Sequence, residues 1–594
     1  MIFMKKKIVA IVILLIVAAS QLSTAQLEAS NWYFGFNAGI TFDPVTGAVT
    51  PVTNGQLDTF EGCASISDSS GNLLFYTDGI TVFDRNHLIM QNGQGLRGNP
   101  SSTQSAIIIP KPQDPDIYYI FTVDTAATGG QDSGLHWYEV DMTANLNQGA
   151  VVSSITNPNN LINTCSEKIT AINHGVNDEI LVTALAEFNG IGTAFDTFYT
   201  FTVSPTGVDP VPVKSQVATT INNGGRRGNL KISPPDGQYM VSCNMGTGSF
   251  LYDYDQLTGI VSNERQLQFT GQNRSGYGVE FSPDSSLLYV SASNDANSND
   301  PAAHSSTLFQ FDMTSPNPES STVVIDTRAG YRGSLQLGID KKIYRALSDT
   351  YNDGRSFLGV INNPPNVAGQ GCNYVHDAIP LAGRLSAQGL PPFIQSFFAL
   401  IDVEFTCLGD NTTFEFDSDT PPTLVDWDFG DGTNSSVESP THVYAAPGIY
   451  NVVLTLTING SVRTYRKSVQ IFDTPIANAA IDVNVCDINN DGTESFDLTA
   501  TATPQILGAQ DATIFNVEYY SSQADADNGA NPISLPYIAT TLTQTLFARV
   551  SNNNNEDCYD TTSFDIEIFA QPVANAVNNL EVCDDDFDGS RPLI

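Results

Sequence analysis

Positive charge is scarce in this chain. Twenty-five lysines and arginines face 64 aspartates and glutamates, and the 594 residues carry a formal net charge of −39. Such a surface repels nucleic acid and anionic membranes, which argues against both as partners. Histidine is rarer still. His87, His136, His174, His304, His376 and His442 are the six, and none belongs to an H-E-x-x-H or H-x-H cluster. That argues against a histidine-ligated metallohydrolase. None of the eight cysteines stands in a C-x-x-C pair, which weakens zinc and redox readings. Helical periodicity is missing beyond the N-terminus, and no run after residue 25 is apolar enough to span a bilayer.

What is present begins with an export signal. Lys5, Lys6 and Lys7 precede the apolar run Ile8–Ala19, and Ser23-Thr24-Ala25 places small residues before a cut at Gln26. Residues 1–25 therefore read as a secretory signal peptide. Its apolar core is about a dozen residues, against the ~20 a membrane span needs. The mature chain is expected to be secreted or cell-surface, exported and not inserted in a membrane. No cysteine follows the cut, so a lipid anchor is not expected, and eight cysteines in an exported chain suit disulfides.

The length asks for about three or four domains. Short runs of Val, Ile, Thr, Tyr and Phe alternate with Gly, Asn, Asp and Pro clusters, the pattern of an all-β protein. Over residues 27–400 one unit recurs, in which a strand enters a polar turn and a second apolar strand leaves it. The copies are Ser65–Asp78, Ile107–Asp124, Ile169–Leu185, Leu230–Asn244, Val279–Ser293 and Leu335–Leu347. A spacing of roughly 45 to 65 residues fits a four-stranded propeller blade. "NWYFGFNAGITFD" and "PPFIQSFFAL" at the two ends can share a blade and seal the ring. The expectation is a β-propeller of six or seven blades.

The turns Ser233-Pro234-Pro235-Asp236-Gly237 and Ser282-Pro283-Asp284-Ser285 resemble those of YVTN/lactonase-like propellers. With "WYFG", "EGCASISD", "GNLLFYTDGITVFDRN" and "LGVINNP", the segment resembles the N-terminal region of large exported Bacteroidetes proteins. The resemblance implies PKD modules and a C-terminal gliding-motility-associated sorting domain read by the type IX secretion machinery. That sorting region is absent from this chain.

Residues 401–474 contain "DFG" at Asp428-Phe429-Gly430, the letters of a kinase magnesium site. No glycine-rich phosphate loop, strand lysine or H-R-D loop accompanies it. Instead, the order Trp427-Asp428-Phe429-Gly430-Asp431-Gly432, then Pro440-Thr441-His442-Val443-Tyr444, then Gly448-Ile449-Tyr450 resembles a PKD domain. In that reading Trp427 and Phe429 enter a sandwich core, with Tyr444 and Tyr450 on later strands. Gly430, Asp431 and Gly432 allow a tight reversal.

Thr474–Leu498 recurs as Gln571–Ile594, with 97 residues from Cys486 to Cys583. We therefore expect an Ig-like or cadherin-like repeat over 475–571 and the start of a second, truncated one over 572–594. A disulfide between Cys486 and Cys558 is expected across the complete copy. Cys63, Cys165, Cys243, Cys372 and Cys407 suggest no pairing. Asp487, Asn489 and Asp491 follow D-x-N-x-D-G, and Asp584, Asp586 and Asp588 repeat it. Oxygen ligands at alternate positions suit Ca²⁺, with Asp497 near the place of a closing carboxylate. A plain Asx-rich turn fits the same residues. No cofactor is required, and Ca²⁺ is the one the motif admits.

Two functions fit. The first is a surface protein whose propeller is a recognition head on a PKD/Ig-like stalk, binding an extracellular glycan or surface protein in adhesion. The alternative is a propeller hydrolase or lactonase-like enzyme acting on an extracellular glycan or small ester. Polar residues expected just before inner strands mark the channel in either case: Glu61, Gln104, Glu167, Arg226, Arg227, Glu280 and Arg332. Glutamate beside arginine suits a sugar acid or acid–base work. No recognisable nucleophile–base pair singles out catalytic residues.

Overall fold

A computed structural model describes residues 27–577 except 44–46, 69, 125–133, 154–158, 175–178, 235–236, 370, 396–400, 417–421, 459–460 and 573. The signal peptide, Cys583, Asp584, Asp586 and Asp588 lie outside the described residues. No helix among the described residues is long and apolar enough to cross a membrane. The chain forms two compact units, one of residues 1–404, 413–442 and 449–469, the other of 405–412, 443–448 and 470–594.

The first unit opens with a β-propeller. Its blades run over residues 31–52, 64–94, 106–162, 165–221, 230–266, 275–329 and 335–380, each a sheet whose strands largely follow chain order. One parallel bridge, Gln91 to Ala150, fuses the second and third into a nine-stranded sheet. Each of the six repeats read from the sequence is the first hairpin of one blade. The seventh blade is the opening one, Asn31–Phe34, Ala38–Phe42 and Val49–Val52, which lacks the polar turn. The Ser282–Ser285 turn closes its hairpin as read. Ser285 N–H donates to the Ser282 carbonyl at 2.9 Å with its backbone at φ 56°, and Ser282 Oγ donates to Asp284 at 2.6 Å.

The two ends of the propeller meet. Phe36 N–H donates to the Leu385 carbonyl at 3.0 Å, and Gln388 N–H to that of Phe60 at 2.9 Å. The buried Trp32 ring packs on Phe393 at 5.9 Å and edge-on to Tyr344 at 5.3 Å. Closure removes the exposed edges that an open sheet would leave for aggregation. It also sets the burial pattern. Inner strands such as Ala64–Ser67, Leu230–Ile232 and Leu335–Leu337 are buried at every position, while the outer Val323–Ala329 has no buried residue. A polar side chain on an inner strand must therefore find its partner inside the ring.

The PKD segment forms two sheets. One orders Ile401–Glu404, Thr412–Phe416 and Thr441–His442; the other orders Asn434–Ser435, Leu424–Asp428, Gly448–Ile458 and Ser461–Ile471. Val452, Leu454 and Leu456 fall at period 2 and are fully buried, with Trp427 opposite Leu454. Tyr444 is buried and Tyr450 half-buried.

In the second unit Val483–Asp487, Asn555–Ala570, Thr543–Asn552 and Phe515–Tyr520 make a four-stranded sheet, accompanied by a two-stranded one and three short helices. Leu498, Ile506, Tyr519, Leu546, Val550, Phe564 and Ile566 share its core. The expected Cys486–Cys558 disulfide is not formed. Cys558 bonds Cys407 with Cα atoms 5.3 Å apart, and Cys486 is a free, exposed thiol. The reason is strand direction. Val483–Asp487 runs parallel to Asn555–Ala570, so Cys486 is level with Phe569. Cys558 is eleven residues back on that strand, roughly 35 Å at ~3.3 Å per residue. Cys63, Cys165, Cys243 and Cys372 are buried free thiols.

Candidate functional site

Polar side chains flanking the innermost strands of the propeller gather into one ionic cluster. Glu61, 2% exposed, precedes the first strand of the second blade. Its Oε1 accepts from the Arg332 guanidinium at 3.0 Å, and its Oε2 accepts from the Tyr277 hydroxyl at 2.8 Å. Thr103 Oγ1 lies 3.3 Å from Oε2 of both Glu61 and Glu167, so one hydroxyl proton serves two carboxylates. The same oxygen accepts the Gly228 N–H at 3.1 Å. Arg226 Nε donates to Glu167 at 2.6 Å.

Asp295 completes the cluster between Arg332, 3.8 Å away, and Arg227, 3.5 Å away. Three carboxyl groups and three guanidiniums thus interlock. Arg332 lies between the rings of Tyr277 and Tyr331, its guanidinium carbon 5.0 and 4.9 Å from their centres, and donates from Nε to Gln388 at 2.6 Å. Burial pushes the Glu61 carboxyl up; Arg332, Tyr277 and Arg227 pull it down, and Glu167 adds to the push. The balance leaves it above its ordinary value.

One side of the cluster is open. The side chains of Arg226, Arg227 and Asp295 keep 17%, 28% and 27% of their exposure, whereas Glu61, Glu167 and Arg332 keep 1% each. Arg227 Nε is buried without a hydrogen-bond partner. Arg226, Arg227 and Asp295 are the part of the cluster that solvent reaches.

Gln104 and Glu280 serve other purposes. Gln104 Oε1 accepts the Leu230 N–H at 2.8 Å and the Ile169 N–H at 3.4 Å, tying three blades together. Glu280 accepts from Lys231 Nζ at 2.8 Å and from the Leu337 N–H at 3.0 Å, while Lys231 also donates to Gln336 at 2.6 Å. Both are fully buried braces. Lys168, next to Glu167, donates to the Cys243 carbonyl at 2.7 Å and to Asn244 at 2.8 Å. Burial brings its ammonium down to about 7.

Sequence reading placed Glu61, Glu167, Arg226, Arg227 and Arg332 in this region and missed Thr103, Tyr277, Asp295 and Gln388. Thr103 and Lys168 were open to the same rule, since each adjoins a residue that the rule selected. Asp295 follows the second strand of its blade and carried no such signal.

The D-F-G stretch is a turn. Gly430 and Gly432 hold φ of 79° and 89°. Asp428 accepts the Gly430 N–H at 2.9 Å, and Asp431 Oδ1 accepts the Thr433 N–H at 3.0 Å and its hydroxyl at 2.6 Å. His442 lies 2.7 Å from Asp431 Oδ2 and stacks on Phe429 at 4.4 Å. Burial raises the Asp431 carboxyl, but Thr433 and His442 outweigh it and hold it below its ordinary value.

At the calcium-type motif, Asp487 is buried and accepts the Gly492 N–H at 2.7 Å and the Asp491 N–H at 3.2 Å. Asn489 and Asp491 bond each other and their own loop amides. Asp497 caps the helix Leu498–Thr501 through the Ala500 N–H at 3.1 Å. Among the described residues no three His, Cys, Asp or Glu side chains are gathered as metal ligands.

Comparison with known proteins assigns the two C-terminal modules. Residues 404–472 match the PKD domain family, and residues 482–572 match the Flavobacterium inter-domain disulphide bond domain. No curated protein matches the chain. Among solved structures, the PKD1 domain of the Vibrio cholerae metalloprotease PrtV is 30% identical, covering 13% of this chain and 95% of that one, with a TM-score of 0.12. The PKD1 domain of Vibrio anguillarum Epp is 28% identical over 12% and 89%, with a TM-score of 0.11. A quinonprotein alcohol dehydrogenase-like protein from Bacteroides thetaiotaomicron is 10% identical over 61% and 78%, with a TM-score of 0.35. A propeller, a PKD domain, a disulfide-domain match and a formed disulfide make this a multidomain protein of extracellular type.

Proposed function

We propose that the chain is a surface recognition protein, with the propeller as binding head and the PKD and disulfide-domain modules as its stalk. The ligand is an extracellular glycan carrying a carboxylate, held at Arg226 and Arg227 in adhesion. Export by the type IX route is part of the proposal, resting on the likeness of the propeller segment to exported Bacteroidetes proteins. The observation that carries the reading is the interlocked cluster. Every carboxylate in it already faces a guanidinium, and two of its three solvent-reached side chains, Arg226 and Arg227 beside Asp295, are guanidiniums whose geometry suits a bidentate carboxylate. Acid–base work needs a carboxyl that meets the substrate. Glu61 and Glu167 are sealed and Asp295 is held between Arg227 and Arg332, so this geometry does not favour the hydrolase reading.

The test is a glycan array probed with the full chain and with Arg227→Ala, followed by a turnover assay on every glycan bound. Binding of uronic- or sialic-acid glycans that falls at least about tenfold in Arg227→Ala, without turnover, supports the proposal. Hydrolysis of a bound glycan, or no binding to any acidic glycan, refutes it.

A further inference from the structure

The turn that brings Met245 to Arg332 also walls a pocket. In the fifth blade the strands alternate in direction, so three segments lie at one end: the entry to the first strand, the turn between the second and third, and the exit of the fourth. These are residues 222–229, 245–247 and 267–274, and the first of them carries Arg226 and Arg227. The three therefore share the face on which the ionic cluster opens. Thr247 abuts the Arg226 loop, since a Cβ at Gly225 would lie 2.4 Å from its Oγ1, and the Met245 N–H donates to the Arg227 carbonyl at 3.2 Å. Between this turn and the segment leading to the sixth blade lies a cavity of about 270 Å³. That is near the lower end of ligand-pocket sizes, ~300–1,000 Å³, and suits a single sugar ring.

The lining combines one fixed aromatic surface with uncommitted polar groups. Phe269 is half-buried, held by the Phe309 ring at 5.1 Å and the Phe311 ring at 5.9 Å. An aromatic face of this kind attracts the C–H side of a pyranose. Gly248 leaves the cavity unfilled, because a Cβ there would meet Gln266 Nε2 at 2.6 Å. The Thr247 hydroxyl and the Gln266 side-chain amide line the pocket without a hydrogen bond among the described residues. Gln268 donates from Nε2 to the Gln266 carbonyl at 3.0 Å, which leaves its Oε1 to accept. Arg274 is exposed, and its Nε donates to the Gly271 carbonyl at 2.8 Å, which orients the guanidinium and leaves both terminal nitrogens to solvent. In a chain of net charge −39, a guanidinium that pairs with no carboxylate among the described residues is a ready place for an anion.

We propose that this pocket is a second subsite for the acidic glycan, taking a pyranose residue that carries a carboxylate. The ring lies against Phe269, its hydroxyls bond Thr247, Gln266 and Gln268, and its carboxylate meets the two terminal nitrogens of Arg274 as a bidentate pair. The subsite rests on the reading of the propeller as an acidic-glycan head. To that reading it adds a direction, in which the sugar chain runs from Arg226 and Arg227 across the turn at Met245–Thr247 toward the sixth blade.

The test probes an array of oligogalacturonates, hyaluronan fragments and sialylated oligosaccharides, with neutral maltooligosaccharides as controls, using the full chain. Wild type is compared with Arg227→Ala and with the pocket variants Phe269→Ala, Arg274→Gln and Gln266→Ala. The last two alter exposed side chains and keep the test decisive if Phe269→Ala, which loses its packing on Phe309, fails to fold. The expected result is binding of an acidic oligosaccharide that falls at least about tenfold in each folded pocket variant. Such a fall in Arg227→Ala as well supports the subsite and the site at Arg226 and Arg227 together. A fall in the pocket variants alone supports the subsite and refutes Arg226 and Arg227 as a carboxylate site. A fall in Arg227→Ala alone overturns the subsite and leaves that site standing. Wild type that binds no acidic oligosaccharide, or binds the neutral controls equally well, overturns the subsite.

Discussion

Glu61 and Asp431 are both carboxylates beside a basic side chain, yet their environments push them in opposite directions. Glu61 sits at the propeller centre with Arg332, Tyr277, Thr103 and a second glutamate, all nearly free of solvent. Asp431 sits in a PKD turn with Thr433 and His442. Burial dominates at the first and raises the carboxyl; local hydrogen bonds dominate at the second and lower it. A buried charge is stabilised only as well as its whole shell is complete, whereas a turn carboxylate is stabilised by donors a few residues away. The largest expected effect follows from the first case. Arg332→Met leaves Glu61 with two hydroxyl donors and no adjacent guanidinium, and the propeller transition in chemical denaturation should lose about 3–5 kcal/mol. Glu61→Gln in the same background should restore part of the loss. A single-variant loss below about 1 kcal/mol would break the contrast.

The turn is tested through its backbone. A Cβ at Gly430 meets the Asn451 carbonyl oxygen at 2.7 Å, at a φ of 79° that L side chains rarely adopt. Gly430→Ala should therefore cost the PKD module about 3 kcal/mol, the upper end for such strain. Gly432 has a similar φ of 89° but open space around its Cβ, so Gly432→Ala should cost only about 1–2 kcal/mol, the strain alone. Equal losses would show that the close approach to Asn451 does not matter.

These two regions differed equally in how far the sequence revealed them. The PKD turn was legible as a turn, because Trp427, Gly430, Asp431 and Gly432 act within one module at short separations, but the contacts of His442 with Asp431 and Phe429 were not read. The propeller was legible as an architecture, since six hairpins repeat a turn. The blade count was not, because the opening blade carries no such turn. Of the central cluster, the residues flanking inner strands were found by position. Thr103, Tyr277 and Asp295 come from different blades, and only ring closure brings them to Glu61 and Arg332. The disulfide was misplaced for one reason. The expectation joined an early and a late strand across a sandwich, whereas Val483–Asp487 and Asn555–Ala570 are parallel neighbours in one sheet with Cys486 level with Phe569.

Acid sharpens the contrast with a smaller effect. The depressed Asp431 carboxyl contributes stability that is present above its unfolded value, near 3.8, and lost as pH falls through its lower folded value. Asp431→Asn should remove that acid-sensitive part, about 1 kcal/mol. Glu61 has the opposite sign. Its contribution is complete below its unfolded value, near 4.5, and is lost as pH rises through its higher folded value. Melting the wild type, Asp431→Asn and Glu61→Gln between pH 6 and pH 3 checks both signs; parallel curves for all three would refute the assignment.

The smallest expected effect concerns Asp487, Asn489 and Asp491, which resemble Asp431 in one respect. Their oxygens already accept amide donors from their own loop, at 2.7 Å for Gly492 and 2.9 Å for Thr493. A calcium ion would have to compete with those bonds, and Asp497 is committed to its helix cap. Calcium held at a hundred times its dissociation constant would add about 2.7 kcal/mol. For a module of this size, that raises the melting temperature by about 10 °C or more. If the loop is stabilised by its amides, exchanging calcium for EDTA should move the transition of this module by less than about 1 °C. A shift approaching 10 °C would place a metal at the loop and end its likeness to the PKD turn.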